Sequence, residues 1–190
     1  VLRILNELMK VQEPGYKLYD KIVEGFEKID DVIAAAVKDQ QNAAWLFAEK
    51  YSEEPNLYIM ASGASYSQAY GFAICSLQEM QWMDCGYLNS AEYFHGPFEV
   101  TDFDVPFVLV KGIGATRELD ERAYNFCSKF SQKLAVIDEA EFDLTGIEPG
   151  VQEYVAPLLA GTVVREMIDS LAHERGHALS VRRYMWQMEY

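Results

Sequence analysis

The run VPFVLVKG (residues 105–112) limits most strongly what this chain can fold into. It is apolar and β-branched almost throughout and shows no polar alternation. A strand with one wet face alternates. A strand that does not alternate is buried on both faces, as in the centre of a parallel sheet covered by helices. Three shorter runs repeat the signal: LYIMAS (57–62), CGYLNS (85–90) and LAVID (134–138). Helical patterns separate them, at about 65–82, at RELDERAYNFCSKFSQK (117–133), and at about 151–174 after an EPG turn. Pro157 sits at the start of the last helix or kinks it, and Gly176 ends it. Strands alternating with helices of ten to twenty residues predict an α/β fold: a parallel, doubly wound, Rossmann-like sheet flanked by helices.

The first fifty or so residues carry no strand signal. Residues 1–12 read as a helix stopped by Pro14-Gly15. Residues 16–28 read as a second helix, with Leu18, Ile22, Val23 and Phe26 at helical spacing. Asp30 or Asp31 caps a third that runs to Tyr51. The domain reading is therefore a helical lead-in or linker over 1–52 and an α/β domain with a C-terminal tail over 53–190. Val1 opens directly into a helical pattern, so the chain is expected to be a piece of something longer.

The net charge of −14 repels phosphate backbones and anionic membrane surfaces, which excludes nucleic acid and membrane as main partners. Three scattered cysteines, Cys75, Cys85 and Cys127, form no C-x-x-C pair. They point to reduced thiols and a cytoplasmic location.

Four places offer chemistry. The turn Ser62-Gly63-Ala64-Ser65-Tyr66-Ser67 lies between strand and helix, where free N–H groups and hydroxyls suit a phosphate or a sugar hydroxyl; the plainer alternative is that Ser65 caps the helix. Glu79 stands near the end of that helix among Leu77, Met80 and Trp82. An acid in such a place is a candidate general base or simply a solvated helix-end acid. His95 precedes a Gly-Pro turn and is either a packed residue or a positioned proton carrier. The tail SVRRYMWQMEY (180–190) packs Arg182 and Arg183 among three aromatics, so it is expected to dock rather than fray, and its arginines can grip a carboxylate or phosphate. His173 and His177 are four apart with Gly176 between them and no evident third ligand, so no metal site is expected. KGIGATRE after the third strand has G-x-G without a third glycine and reads as a loop.

Three stretches carry a family resemblance: ASGASYSQAYGFAICSLQEMQW, NSAEYFHGPFEV and RRYMWQMEY. From about residue 57 onward the chain resembles the sugar isomerase (SIS) domain family. The helix Glu and the His of H-G-P, sixteen residues later, are similar to the catalytic pair in the isomerase half of glucosamine-6-phosphate synthase. EMQW, EYFHGPFE and RRYMW resemble more closely the bacterial fructosamine 6-phosphate deglycases, which split Amadori products such as fructoselysine 6-phosphate into an amine and glucose 6-phosphate. The resemblance implies Glu79 and His95 as catalytic residues. Ser62, Ser65, Tyr66, Glu92, Arg182 and Arg183 form the candidate substrate-binding set. It further implies a phosphorylated sugar-amine substrate, no metal or organic cofactor, and a homodimer or larger assembly whose sites are shared between subunits.

Two departures shape the expectation. Relatives of this group carry two SIS domains, the first with a Ser/Thr-rich phosphate loop. No such loop occurs here, so the chain reads as the second SIS domain of a longer protein. The synthase relatives also have a tail Lys, and the last ten residues here contain none. The alternatives are an aminosugar-phosphate isomerase of the synthase type, or a non-catalytic sugar-phosphate-binding module.

Overall fold

The computed structural model describes residues 1–189. Tyr190, the last aromatic of the tail, lies outside the described residues. In chain order the elements are α1 (Leu2–Gln12), α2 (Tyr19–Tyr51), β1 (Asn56–Ala61), α3 (Tyr66–Gly71), β2 (Asp84–Asn89), β3 (Phe107–Lys111), α4 (Arg117–Phe130), β4 (Leu134–Asp138) and α5 (Pro149–Glu174). The four strands form one sheet of order β2-β1-β3-β4, and all pairs are parallel. This is the α/β architecture that the alternating pattern predicts.

Successive residues of a strand point to opposite faces, and both faces here are covered. Leu57, Ile59 and Ala61 of β1 and Val108 and Val110 of β3 pack with residues of α2, α3 and α5. Met60, Phe107 and Leu109 pack on the other face with Ala123 and Cys127 of α4 and with Tyr93. Phe107 to Lys111 are all buried, which is why the VPFVLVKG run shows no alternation.

The two helices expected at 16–28 and about 31–51 are one helix of 33 residues. Its buried stripe of Ile22, Gly25, Val32, Ala36, Ala44, Phe47, Ala48 and Tyr51 continues past Asp30 and Asp31 and joins the same core as the sheet. The two acids are exposed on the opposite side. With no Pro or Gly to break the backbone there, packing along the stripe overrides a capping preference worth about 1 kcal/mol.

The helix after β1 also departs from expectation. It is α-helical only through Gly71 and then winds as a π-helix over Phe72–Met80. Phe72 and Leu77, five residues apart, are both buried, as a period with i→i+5 hydrogen bonds requires. Such widened turns are rare, and those that occur are frequently at functional sites.

Candidate active site

The π-helix delivers Glu79 to the amino-terminal edge of the sheet, because the connection from β1 to β2 runs antiparallel to both strands. There Glu79 lines an open cleft of about 440 Å³ with Gln78, Trp82, Asp84 and the tail residues Arg182, Arg183 and Tyr184. The tail reaches this point through a chain of polar contacts. Gln81, fully buried, donates through Nε2 to the His177 carbonyl at 2.8 Å. Arg175 donates to the Ser52 carbonyl at 2.6 Å and to that of Gln81 at 3.4 Å. Arg182 then forms an ion pair with Glu79, Nη2 to Oε1, at 2.9 Å. Arg182 is nearly buried and Glu79 about a quarter exposed. The acid is therefore neither solvated nor set in an apolar pocket: a guanidinium holds one oxygen and the cleft faces the group.

Trp82 completes the wall at a conformational cost. Its φ is +54°, left-handed for a bulky aromatic, which costs about 1–2 kcal/mol and persists only where the surroundings over-determine it. The indole meets the His177 ring edge-on, 4.6 Å away at 72°, and carries the Arg183 guanidinium 4.4 Å from its ring centroid. The tail docks as expected, but its anchors are the arginines. Tyr184 and Trp186 remain largely exposed.

His95 sits elsewhere. It ends a single 3₁₀ turn, Tyr93–His95, beyond the carboxyl end of β2, and it is exposed. Glu79 and Asp84 mark the amino end of that strand. Six residues of strand, at about 3.3 Å each, separate the two ends by roughly 17 Å. Within one chain the two candidate catalytic groups do not meet. Tyr66 and Glu92 belong to the His95 end: burial raises the Tyr66 phenol first, and the nearby Glu92 carboxylate adds to it. The His95 N–H donates to the Glu92 carbonyl at 2.9 Å.

The serine turn forms a third place. Ser62 and Ser65 line a 260 Å³ crevice between the carboxyl ends of β1 and β3, with Gly112, Gly114, Thr116, Glu139 and Glu153. The strand order reverses here, where open α/β sheets bind ligands. Both serines are buried and committed to protein acceptors. Ser62 Oγ donates to the Thr116 carbonyl at 3.1 Å, and Ser65 Oγ donates to Glu139 Oε1 at 2.5 Å instead of capping its helix. Glu139 is 1% exposed, and burial pushes its carboxyl up to about 6. Asp120, 0% exposed, is raised by burial as well. The nearby cations do not offset this acidity. Lys111 and Arg117 are paired with Asp138 and Glu121. A crevice lined by carboxylates and no cation repels a phosphate dianion.

The Glu79–Arg182 pair, the Trp82 wall and the buried acid Glu139 escaped the sequence reading. No local pattern announces an ion pair between residues so far apart in the chain. Only the unusual density of anchors in the tail pointed to it. His173 and His177 serve as ring contacts for Trp45 and Trp82.

No family model matches the chain. It is 44% identical over 188 residues to the fructosamine deglycase FrlB of Bacillus subtilis, a match spanning 99% of this chain and 57% of that protein. It is 27% identical over 184 residues to the fructoselysine 6-phosphate deglycase of Escherichia coli K12, over 97% of this chain and 51% of that protein. The chain thus spans little more than half the length of these relatives. A crystal structure of a Bacillus subtilis protein described as a phosphosugar isomerase superposes with a TM-score of 0.96 at 42% identity, covering 100% of this chain and 57% of that one. By sequence and by fold, this chain is a homologue of the part of the bacterial fructosamine deglycases and phosphosugar isomerases that it overlaps.

Proposed function

We propose that the intact protein is a fructosamine 6-phosphate deglycase, with Glu79 as its proton-transfer group and His95 of a second copy facing it. The observation that carries this is the Glu79–Arg182 ion pair at the end of a π-helix, facing an open cleft. Arg182 holds Oε1, and Oε2 makes no ion pair or hydrogen bond among the described residues. That geometry keeps a carboxylate oriented with one oxygen available to a substrate.

The chemistry follows from the substrate's own atoms. In the open-chain ketoamine, Glu79 takes a proton from C1. The electron pair moves into a C1–C2 double bond, and the C2 oxygen takes a proton from His95, giving an enaminol. Glu79 returns its proton to C2, and the nitrogen lone pair leaves a protonated imine at C1. Water adds to C1 and gives one proton back to His95 and the other to nitrogen; the C–N bond breaks with its electrons on nitrogen as the C1 carbonyl forms, and an amine and glucose 6-phosphate leave. General acid–base groups of this kind contribute about 10²–10⁴ in rate. Because Glu79 and His95 stand at opposite ends of the sheet within one chain, a complete site needs a second subunit. Arg182 and Arg183 line the sugar-amine cleft, whereas Ser62 and Ser65 frame a separate crevice and Tyr66 and Glu92 accompany His95. Among the described residues no helix is long and apolar enough to cross a membrane, and we place the protein in the cytoplasm.

The test is glucose 6-phosphate release from fructoselysine 6-phosphate by the intact enzyme. Glu79→Gln keeps the shape of the side chain and removes the base, so the variant should fold normally and lose at least about 10²-fold in kcat. A folded variant with wild-type turnover overturns the assignment.

A further inference from the structure

Resting on the deglycase function above, we propose that Arg183 selects fructosamines whose amine half carries a carboxylate. The two adjacent arginines of the cleft are in different states. Arg182 is nearly buried and spent on Glu79, with further bonds to the carbonyls of Leu179 and Val181. Arg183 is exposed, lines the same cleft, and has no ion pair or hydrogen bond among the described residues. It is nevertheless held in place, its guanidinium 4.4 Å from the centroid of the Trp82 ring.

A guanidinium stacked on an aromatic face keeps its N–H donors around its own rim, directed away from the ring. That arrangement suits two parallel hydrogen bonds to a planar carboxylate. The strain at Trp82 and its contact with His177 fix the platform before any ligand arrives, so little side-chain freedom is left to lose on binding. The other charges of the cleft narrow the choice of anion. Glu79 and Asp84 both line it; with Glu79 neutralised by Arg182, Asp84 is left beside the one unpaired cation, a balance that disfavours a phosphate dianion more than a carboxylate monoanion. Glu79 works at C1, the atom bonded to the amine nitrogen, so the anion nearest this end of the substrate belongs to the amine half. The phosphate, on C6, lies at the far end of the sugar.

The experiment measures kcat/KM of the intact enzyme on matched pairs of fructosamine 6-phosphates. One pair is the adducts of alanine (through its α-nitrogen) and of ethylamine. The other is the adducts of lysine (through its ε-nitrogen) and of cadaverine. The members of each pair differ only by the carboxylate. The wild type should prefer the carboxylate member of at least one pair by about tenfold, the range of a charge-assisted pair at a partly wet site. Arg183→Ala should erase that ratio. Equal rates within both pairs for the wild type overturn the proposal and leave the deglycase function standing. So does a loss in Arg183→Ala that falls equally on both members, as it would if Arg183 gripped the phosphate. No turnover of any of the four substrates defeats the function itself, and the proposal with it.

Discussion

Glu139→Gln should remove a pH dependence from stability, and its size follows from the crevice. Burial is the first cause that raises the Glu139 carboxyl from 4.5 to about 6, outweighing the hydrogen bonds from Ser65 and the Ile113 N–H; the neighbouring Asp120 carboxylate adds to the rise. Between these two values the folded state holds a proton that the unfolded state releases. Stability from this group is therefore full below pH 4.5, falls as pH rises through 6, and is flat above. At about 1.36 kcal/mol per unit, the wild type should lose about 2 kcal/mol over that window. Gln cannot ionise, yet it keeps an oxygen to accept from the Ile113 N–H and an amide to donate to Ser65. Urea unfolding of both proteins at pH 4.5 and pH 8 measures the difference of differences, which cancels any constant cost of the substitution. The expected gap is about 2 kcal/mol, or about 4–8 °C in Tm for a domain of this size. Parallel stability curves for the two proteins across that window would refute the reasoning.

Two further outcomes follow from named contacts. Asp138 accepts from Arg117 at 2.7 and 2.8 Å and from Lys111 at 2.8 Å with its side chain only 12% exposed; burial alone would raise its carboxyl, but these cations hold it well below the usual carboxylate range. Its contribution is present above the unfolded carboxylate value and lost as pH falls, so Asp138→Asn should cost about 3 kcal/mol at neutral pH and much less in strong acid, read by denaturant titration. Gly63 has φ +55°, and a Cβ there would collide with the Thr116 hydroxyl, so Gly63→Ala should cost at least about 1 kcal/mol in the same assay and loosen the crevice loop to proteolysis.

The sheet was legible because strand burial on two faces leaves an unbroken apolar run, and helices between such runs force parallel pairing. The strands expected at 57–62 and 85–90 are β1 and β2 shifted by one residue. The helix starting at Arg117 is found with its apolar stripe inward. What stayed hidden depends on contacts between distant segments. Asp30 and Asp31 look like caps until α2 packs against α5. Ser65 looks like a cap until Glu139, directly after β4, accepts its hydrogen bond. The π-winding of Phe72–Met80 has no residue signature, because every residue in it is an ordinary helix former or apolar filler. The candidate site divides the same way. Glu79 and His95 were recognisable as motif residues, but their placement at opposite ends of the sheet follows only from the direction of the β1–β2 connection.

Subunit complementation tests most directly whether the Glu79 cleft is finished by another chain's His95. Intact Glu79→Gln and His95→Asn proteins, each inactive alone, are mixed, unfolded and refolded together, and assayed for glucose 6-phosphate release. Shared sites place the one good glutamate opposite the one good histidine in half the sites of each hybrid dimer. The mixture should then regain about a quarter of wild-type activity. A mixture that forms hybrid dimers yet stays as inactive as its parents would show that both groups must come from one chain, contradicting the account.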